Sequence, residues 1–255
     1  MPNNIPLLGI LGGLGPMSTV CFYEMLTART KAEADSDHID MVISSHATTP
    51  DRTAYILGRS DHNPLPVMID DARRLVAFGA NLLAVPCNTA HFFYDALRAA
   101  VDVPILNIIE ETVGVLSRMG VRHAGILATE GTISSGAYHK ACLSCGITVS
   151  VPTPEDQRRL NALIYDTIKS GIRPKAEELS RIAAPLLREG CERLILGCTE
   201  LSLVKRDCML DDDIYLDSTE VLALRTIRYC GKTPMGFPPY LIPLIPETPI
   251  TDSHR

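Results

Sequence analysis

Along the chain, short apolar runs alternate with longer stretches in which apolar positions recur every three or four residues. The short runs read as strands buried on both faces and the longer stretches as helices that cover them, which is the order of an α/β protein. Strands are predicted over 7–11, 40–44, 81–85 and 103–107, then over 124–128, 147–151, 193–196 and 214–216. Helices are predicted over 18–34, 68–78, 89–100, 135–145, 157–170, 174–188 and 218–229. Gly79 stands where the second helix should stop, as a left-handed cap would. From Thr233 onward the pattern fails, because six prolines fall between Thr233 and Arg255 and disfavour regular structure.

The pattern repeats. Gly9, Ile10, Leu11, Gly15 and Ser18 align with Gly125, Ile126, Leu127, Gly131 and Ser134 at an offset of 116 residues, and Gly79 and Cys87 align with Gly190 and Cys198 at an offset of 111. The order is kept and the offsets nearly agree, so a duplicated α/β unit is the preferred reading over a single sheet of similar βα units. Open α/β sheets bind ligands at the carboxyl ends of their strands. Two such halves facing each other would place Cys87 and Cys198 on one shared cleft.

Composition narrows the classes of function. The 255 residues are 46% hydrophobic and 21% charged, with a formal net charge of −6 and a pI near 5.6. No basic run exists to track a phosphate backbone, so a nucleic-acid partner is not expected. No stretch reaches the roughly 18 apolar residues that cross a bilayer, and the start lacks the pattern of a signal peptide; no membrane partner and a cytoplasmic location are expected. Eight irregularly spaced cysteines fit reduced thiols better than a disulfide framework. Cys142 and Cys145 form the one CxxC, with no second pair to complete a zinc site, and no metal site is expected.

Cys87 and Cys198 carry the chemistry best. Each follows an apolar strand and precedes small polar residues, Asn88-Thr89 and Thr199-Glu200. A strand-to-helix junction presents free amides and a positive dipole end, which favour an anion and can lower a thiol's pKa. The glycine-rich turn Gly12-Gly13-Leu14-Gly15 is not a GxGxxG and has no acidic residue at the second strand's end, so a dinucleotide is disfavoured. The turn, with Gly13 in it, could instead hold a carboxylate, or simply allow a tight bend. Arg52 lies beyond the second strand, and its guanidinium fork suits a carboxylate; an ordinary surface arginine is the alternative. Lys169, near a helix end, has the same alternative. His91 follows the Cys87 motif and can hydrogen-bond near it without being a metal ligand.

Taken together, Leu11-Gly12-Gly13-Leu14-Gly15-Pro16, Thr49-Pro50-Asp51-Arg52-Thr53, Pro86-Cys87-Asn88-Thr89-Ala90-His91 and Gly197-Cys198-Thr199-Glu200-Leu201 resemble the aspartate/glutamate racemase superfamily, its aspartate racemase branch most closely. The glutamate branch usually has an aspartate-serine pair in the first turn and a histidine after the second motif's threonine. Gly12-Gly13 and Glu200 stand in those places here. The resemblance implies two similar open-sheet α/β domains related by a pseudo-two-fold axis, with the active site in the cleft between them and the chain crossing twice. It implies a first domain of residues 1–110 with 212–232, a second of 111–211 and a proline-rich tail of 233–255. It also implies a cofactor-independent amino-acid racemase, with Cys87 and Cys198 as opposed proton-transfer groups. Arg52, Asn88, Thr89, Thr199, Glu200, Lys169 and Gly13 would hold a small amino-acid substrate, and a homodimer is the expected assembly. Glutamate, a broader set of amino acids, hydantoins or a maleate-like diacid remain open as substrates, as does an amino-acid-binding protein without turnover.

Overall fold

The computed structural model describes residues 6–247. Its first half runs β1 (Leu8–Gly12), α1 (Pro16–Ala28), β2 (Met41–Ser45), α2 (Arg52–Ile56), α3 (Leu65–Phe78), β3 (Leu82–Ala84), α4 (Tyr94–Ala99), β4 (Ile105–Leu106) and α5 (Ile108–Arg118). The second half runs β5 (His123–Leu127), α6 (Glu130–Ser134), α7 (Ala137–Ser144), β6 (Thr148–Ser150), α8 (Pro154–Ala162), α9 (Ala176–Arg188), β7 (Arg193–Leu196), α10 (Thr199–Cys208), β8 (Tyr215–Asp217) and α11 (Ser218–Tyr229). A π-helical turn, Leu163–Ile168, extends α8.

The strands form two parallel four-stranded sheets of the same order, β2-β1-β3-β4 and β6-β5-β7-β8. The repeat reaches side-chain detail. A Cβ on Gly9 would lie 2.5 Å from Leu83 Cδ2 and also crowd Leu75 and Ala80; one on Gly125 would lie 2.4 Å from Leu194 Cδ2 and crowd Leu186 and Cys191. The same three neighbours, 111 positions on, press on the same glycine in each half, where any larger residue would force the strand off its helix layer.

In each sheet the chain steps outward to one edge strand and then crosses to the far side of the first strand. The switch points therefore lie between β1 and β3 and between β5 and β7. The carboxyl ends beside such a switch leave a crevice where ligands bind, and Cys87 and Cys198 directly follow β3 and β7.

Several details differ from the sequence reading, which placed no helix over α5 or α10. The strand at 215–217 pairs with β7 and so lies in the second sheet, although residues 212–232 were assigned to the first domain. Only α11 returns, packing on α1 and α5; the apolar strand pattern says that a strand is buried but not in which sheet. The first helix ends at Ala28 rather than Ala34, and the chain then turns so that Thr30 bridges to Pro234. The tail, within its described part, wraps the molecule: Phe237, Leu241 and Ile245 are buried in the core shared by α1, α5 and α11. No helix among the described residues is long and apolar enough to cross a membrane.

Candidate active site

Both cysteines line one cleft between the sheets, with Arg52, Asn88, Thr89, Thr199, Glu200 and Lys169 around it. All six remaining cysteines lie elsewhere. Cys191, for example, meets His123 at 3.6 Å, but at the amino-terminal edge of the second sheet. Leu14, Asp51, Thr53, Thr129 and Tyr165 complete the lining. Those five were not singled out from sequence; Asp51 and Thr53 flank Arg52 in a motif already marked, whereas Thr129 and Tyr165 reach the cleft only through the tertiary fold. Gly13 does not line the cleft. Its amide donates to Thr19 Oγ1 at 2.9 Å, and its backbone, at φ +81° with His46 pressed against it, serves the tight turn, so Leu14 is the residue presented to the site.

The two thiols have unlike surroundings. Cys87 Sγ faces the carbonyl of Leu14 at 3.6 Å. Cys198 Sγ donates to Glu200 Oε2 at 3.0 Å, while Lys169 Nζ donates to Glu200 Oε1 at 2.6 Å. Burial, and then the Glu200 carboxylate, push the Cys198 thiol well above its ordinary pKa; Lys169 acts in the opposite sense. Burial also opposes the charge of Glu200, but Lys169 and the thiol's hydrogen bond outweigh it and hold the carboxyl below its usual range. These surroundings favour the protonated form of Cys198. Gly15 leaves room for this arrangement, since a Cβ there would sit 2.6 Å from Glu200 Oε1 and 3.4 Å from Lys169 Nζ.

Arg52, at the start of α2, is buried. It donates to the carbonyls of Leu14 at 2.6 Å, Pro50 at 2.9 Å and Thr49 at 3.2 Å, and its Nε has no partner among the described residues. Unlike Lys169, it enters no ion pair among the described residues, and a buried unpaired charge calls for an anion. Tyr165, carried by the π-helical turn, donates to Thr53 Oγ1 at 3.0 Å; together with the contact of α2 on Gly131 this roofs the cleft. His91 is buried and held neutral by that burial. Its Nδ1 lies 2.9 Å from the Cys87 carbonyl and its Nε2 accepts from the Ile108 amide at 3.2 Å, tying the cysteine turn to the β4–α5 junction. The side chains of Asn88 and Thr89 border the cleft but hydrogen-bond across the interface to residues of the second half.

A family model described as Asp/Glu/Hydantoin racemase matches residues 11–226. The chain is 30% identical to the broad specificity amino-acid racemase RacX of Bacillus subtilis (strain 168) over 226 residues, 87% of this chain and 96% of that protein. Among solved structures it superposes on Picrophilus torridus aspartate racemase with a TM-score of 0.81 and 28% identity, covering 93% of this chain and 99% of that one. An aspartate racemase homologue from Pyrococcus horikoshii OT3 gives 0.71 and 26%, covering 89% and 99%.

Proposed function

The chain belongs to the Asp/Glu/hydantoin racemase family, in its aspartate racemase branch, as a PLP-independent racemase, and from that premise we propose that it interconverts L- and D-aspartate with Cys87 and Cys198 as the two proton-transfer groups. The observation that carries this reading is the placement of two thiols at equivalent strand ends on one cleft that also holds a buried arginine whose Nε has no hydrogen-bond partner among the described residues.

Inverting a tetrahedral carbon by proton exchange needs a base on one face and an acid on the other. One sulfur, as thiolate, takes the α-proton; the opposite thiol delivers its proton to the other face of the planar carbanion. The first sulfur ends protonated and the second as thiolate, which is the state that receives the opposite enantiomer. Arg52 Nε and the backbone amides that open the turns after Cys87 and Cys198 are the groups to hold the α-carboxylate. Their donors strengthen as charge develops in a site shielded from water. Thr199, Glu200 and Lys169 bind from the second half, with Glu200 acting on the sulfur as well as on the substrate.

A broader amino-acid range is the second reading. It is favoured by the Lys169–Glu200 pair, which already neutralises the cation that would otherwise take a side-chain carboxylate. Exchange of the α-hydrogen in D₂O over a panel of L- and D-amino acids separates the two readings. In that assay Cys87→Ala and Cys198→Ala are each expected to abolish racemisation; near-normal turnover of either in both directions would sink the two-base scheme. Thiol chemistry of this kind suits a reducing compartment, and we propose a cytoplasmic homodimer, checked by light scattering.

A further inference from the structure

Asp71 is a carboxylate on the buried face of α3, beside Met68, Ala72 and Leu75. Such a group costs free energy unless it is paired. Its partner is His46, whose Nδ1 lies 2.7 Å from Oδ2. An ionised carboxylate only accepts, so the ring nitrogen donates. Arg74 stands 4.0 Å from the other oxygen, but its side chain is largely exposed and meets Asp70 at 2.6 Å. A buried pair adds little stability over apolar residues of the same size; what this one fixes is the place of the loop that His46 begins.

His46 directly follows β2. Its amide donates to the Gly12 carbonyl at 3.3 Å, and its carbonyl accepts from the Thr49 amide at 3.2 Å and from Thr49 Oγ1 at 2.7 Å. Its backbone also presses on Gly13, the neighbour of Leu14. Arg52 is seated on these same two segments, with Nη1 on the carbonyls of Thr49 and Pro50 and Nη2 on that of Leu14. Once both terminal nitrogens are bound, a planar guanidinium has its orientation set, and Nε points where they dictate. The contacts therefore run from α3 through Asp71, His46 and Thr49 to Arg52. Neither His46 nor Asp71 lines the cleft.

We propose that His46 and Asp71 are positioning residues that lock the 46–51 loop against α3 and so aim Arg52 Nε at the substrate's carboxylate. This rests on the reading of Arg52 as a carboxylate ligand. A guanidinium that swings with a loosened loop meets the carboxylate less often in line, whereas the thiols, on other strand ends, keep their places. The loss therefore falls on binding more than on proton transfer. Because a racemisation has an equilibrium constant of one, kcat/KM must change by the same factor in both directions.

The test measures His46→Ala and Asp71→Ala against wild type in the D₂O exchange assay. KM is expected to rise about tenfold in both directions while kcat stays within about threefold. Asp71→Asn keeps an oxygen for the ring nitrogen and is expected to remain within about twofold of wild type. Arg52→Lys supplies the background in which no fork is left to aim, so adding Asp71→Ala there is expected to cost less than about twofold more. Where exchange in that background is too slow to follow, the rise in Tm on adding the amino acid replaces KM. If Asp71→Ala does not fold, His46→Ala, at a side chain 34% exposed, decides the matter. Wild-type KM in His46→Ala would overturn the proposal, and so would an undiminished loss for Asp71→Ala in the Arg52→Lys protein, which would make the pair a support of the fold alone. Wild-type KM in Arg52→Lys itself would overturn the reading of Arg52 and the proposal with it. A wild-type protein that exchanges no amino acid would overturn the two-thiol reading and leave the pair to be judged by the rise in Tm.

Discussion

Cys198 and Glu200 set the residue-scale chemistry. The carboxylate accepts the thiol's proton and raises the sulfur's pKa, so the direction of reaction that needs Cys198 as base gains rate as pH rises. Glu200→Gln removes the negative charge and leaves Lys169 facing the sulfur unpaired; both changes favour the thiolate. The alkaline rise of that direction is expected to move toward lower pH by about one unit or more, and the opposite direction, which needs Cys198 protonated as the acid, is expected to begin its alkaline fall correspondingly earlier. Pre-steady-state rates in both directions across pH check this; a rise and a fall that both stay where they are in the wild type would rule out an action of Glu200 on Cys198. The thiols were legible in the sequence because strand end, small polar neighbours and repetition are all local or periodic signals. Their unlike surroundings were not, because Lys169 reaches Glu200 only through the fold.

At the scale of elements, the apolar runs that predicted eight strands correspond to the eight in the sheets, since strands covered on both faces must be nearly all apolar. The short elements were hidden. α2 and α6 have five residues each, too few for a helical period to show, and they depend on side-chain caps: Asp51 accepts from the Ala54 amide at 2.6 Å and Thr129 from that of Thr132 at 3.2 Å. The turn from β1 into α1 makes a sharper case. Gly15 has φ −121° and ψ 134°, backbone that any residue adopts, so Gly15→Ala carries no backbone strain. Its methyl would instead displace the Glu200–Lys169 pair. A loss of about tenfold in kcat/KM, or about 1.4 kcal/mol, is expected with a melting temperature close to wild type. Unchanged kinetics would show that the ion pair has room to shift without consequence.

For the whole molecule, the duplicated unit was visible as two offsets in the sequence, but the chain's route was not. Residues 212–232 were expected in the first domain; β8 completes the second sheet, and α11 packs on α1 and α5. Nothing in the local pattern of Tyr215–Asp217 distinguishes the two sheets. The tail is a further case: proline spacing argued against regular structure, yet the tail forms a bridge at Pro234 and a 3-10 turn, Ile242–Leu244, and buries Phe237, Leu241 and Ile245. Leu241 is fully buried, so Leu241→Ala is expected to cost about 2–5 kcal/mol of unfolding free energy, read by chemical denaturation, while KM of the folded protein is unchanged. A cost below about 1 kcal/mol would mean that the tail covers the core without stabilising it.

The Tyr165–Thr53 hydrogen bond and the Arg59–Glu130 ion pair, each at 3.0 Å, both join one half to the other. The ion pair is largely exposed, whereas the Asn88–Ser218 and Thr89–Thr129 contacts between the halves are buried and neutral. Salt, which screens exposed charges far more than buried ones, weakens the first kind of tie and leaves the second as it is. The grip of one half on the other therefore has a part that ionic strength tunes and a part that it does not.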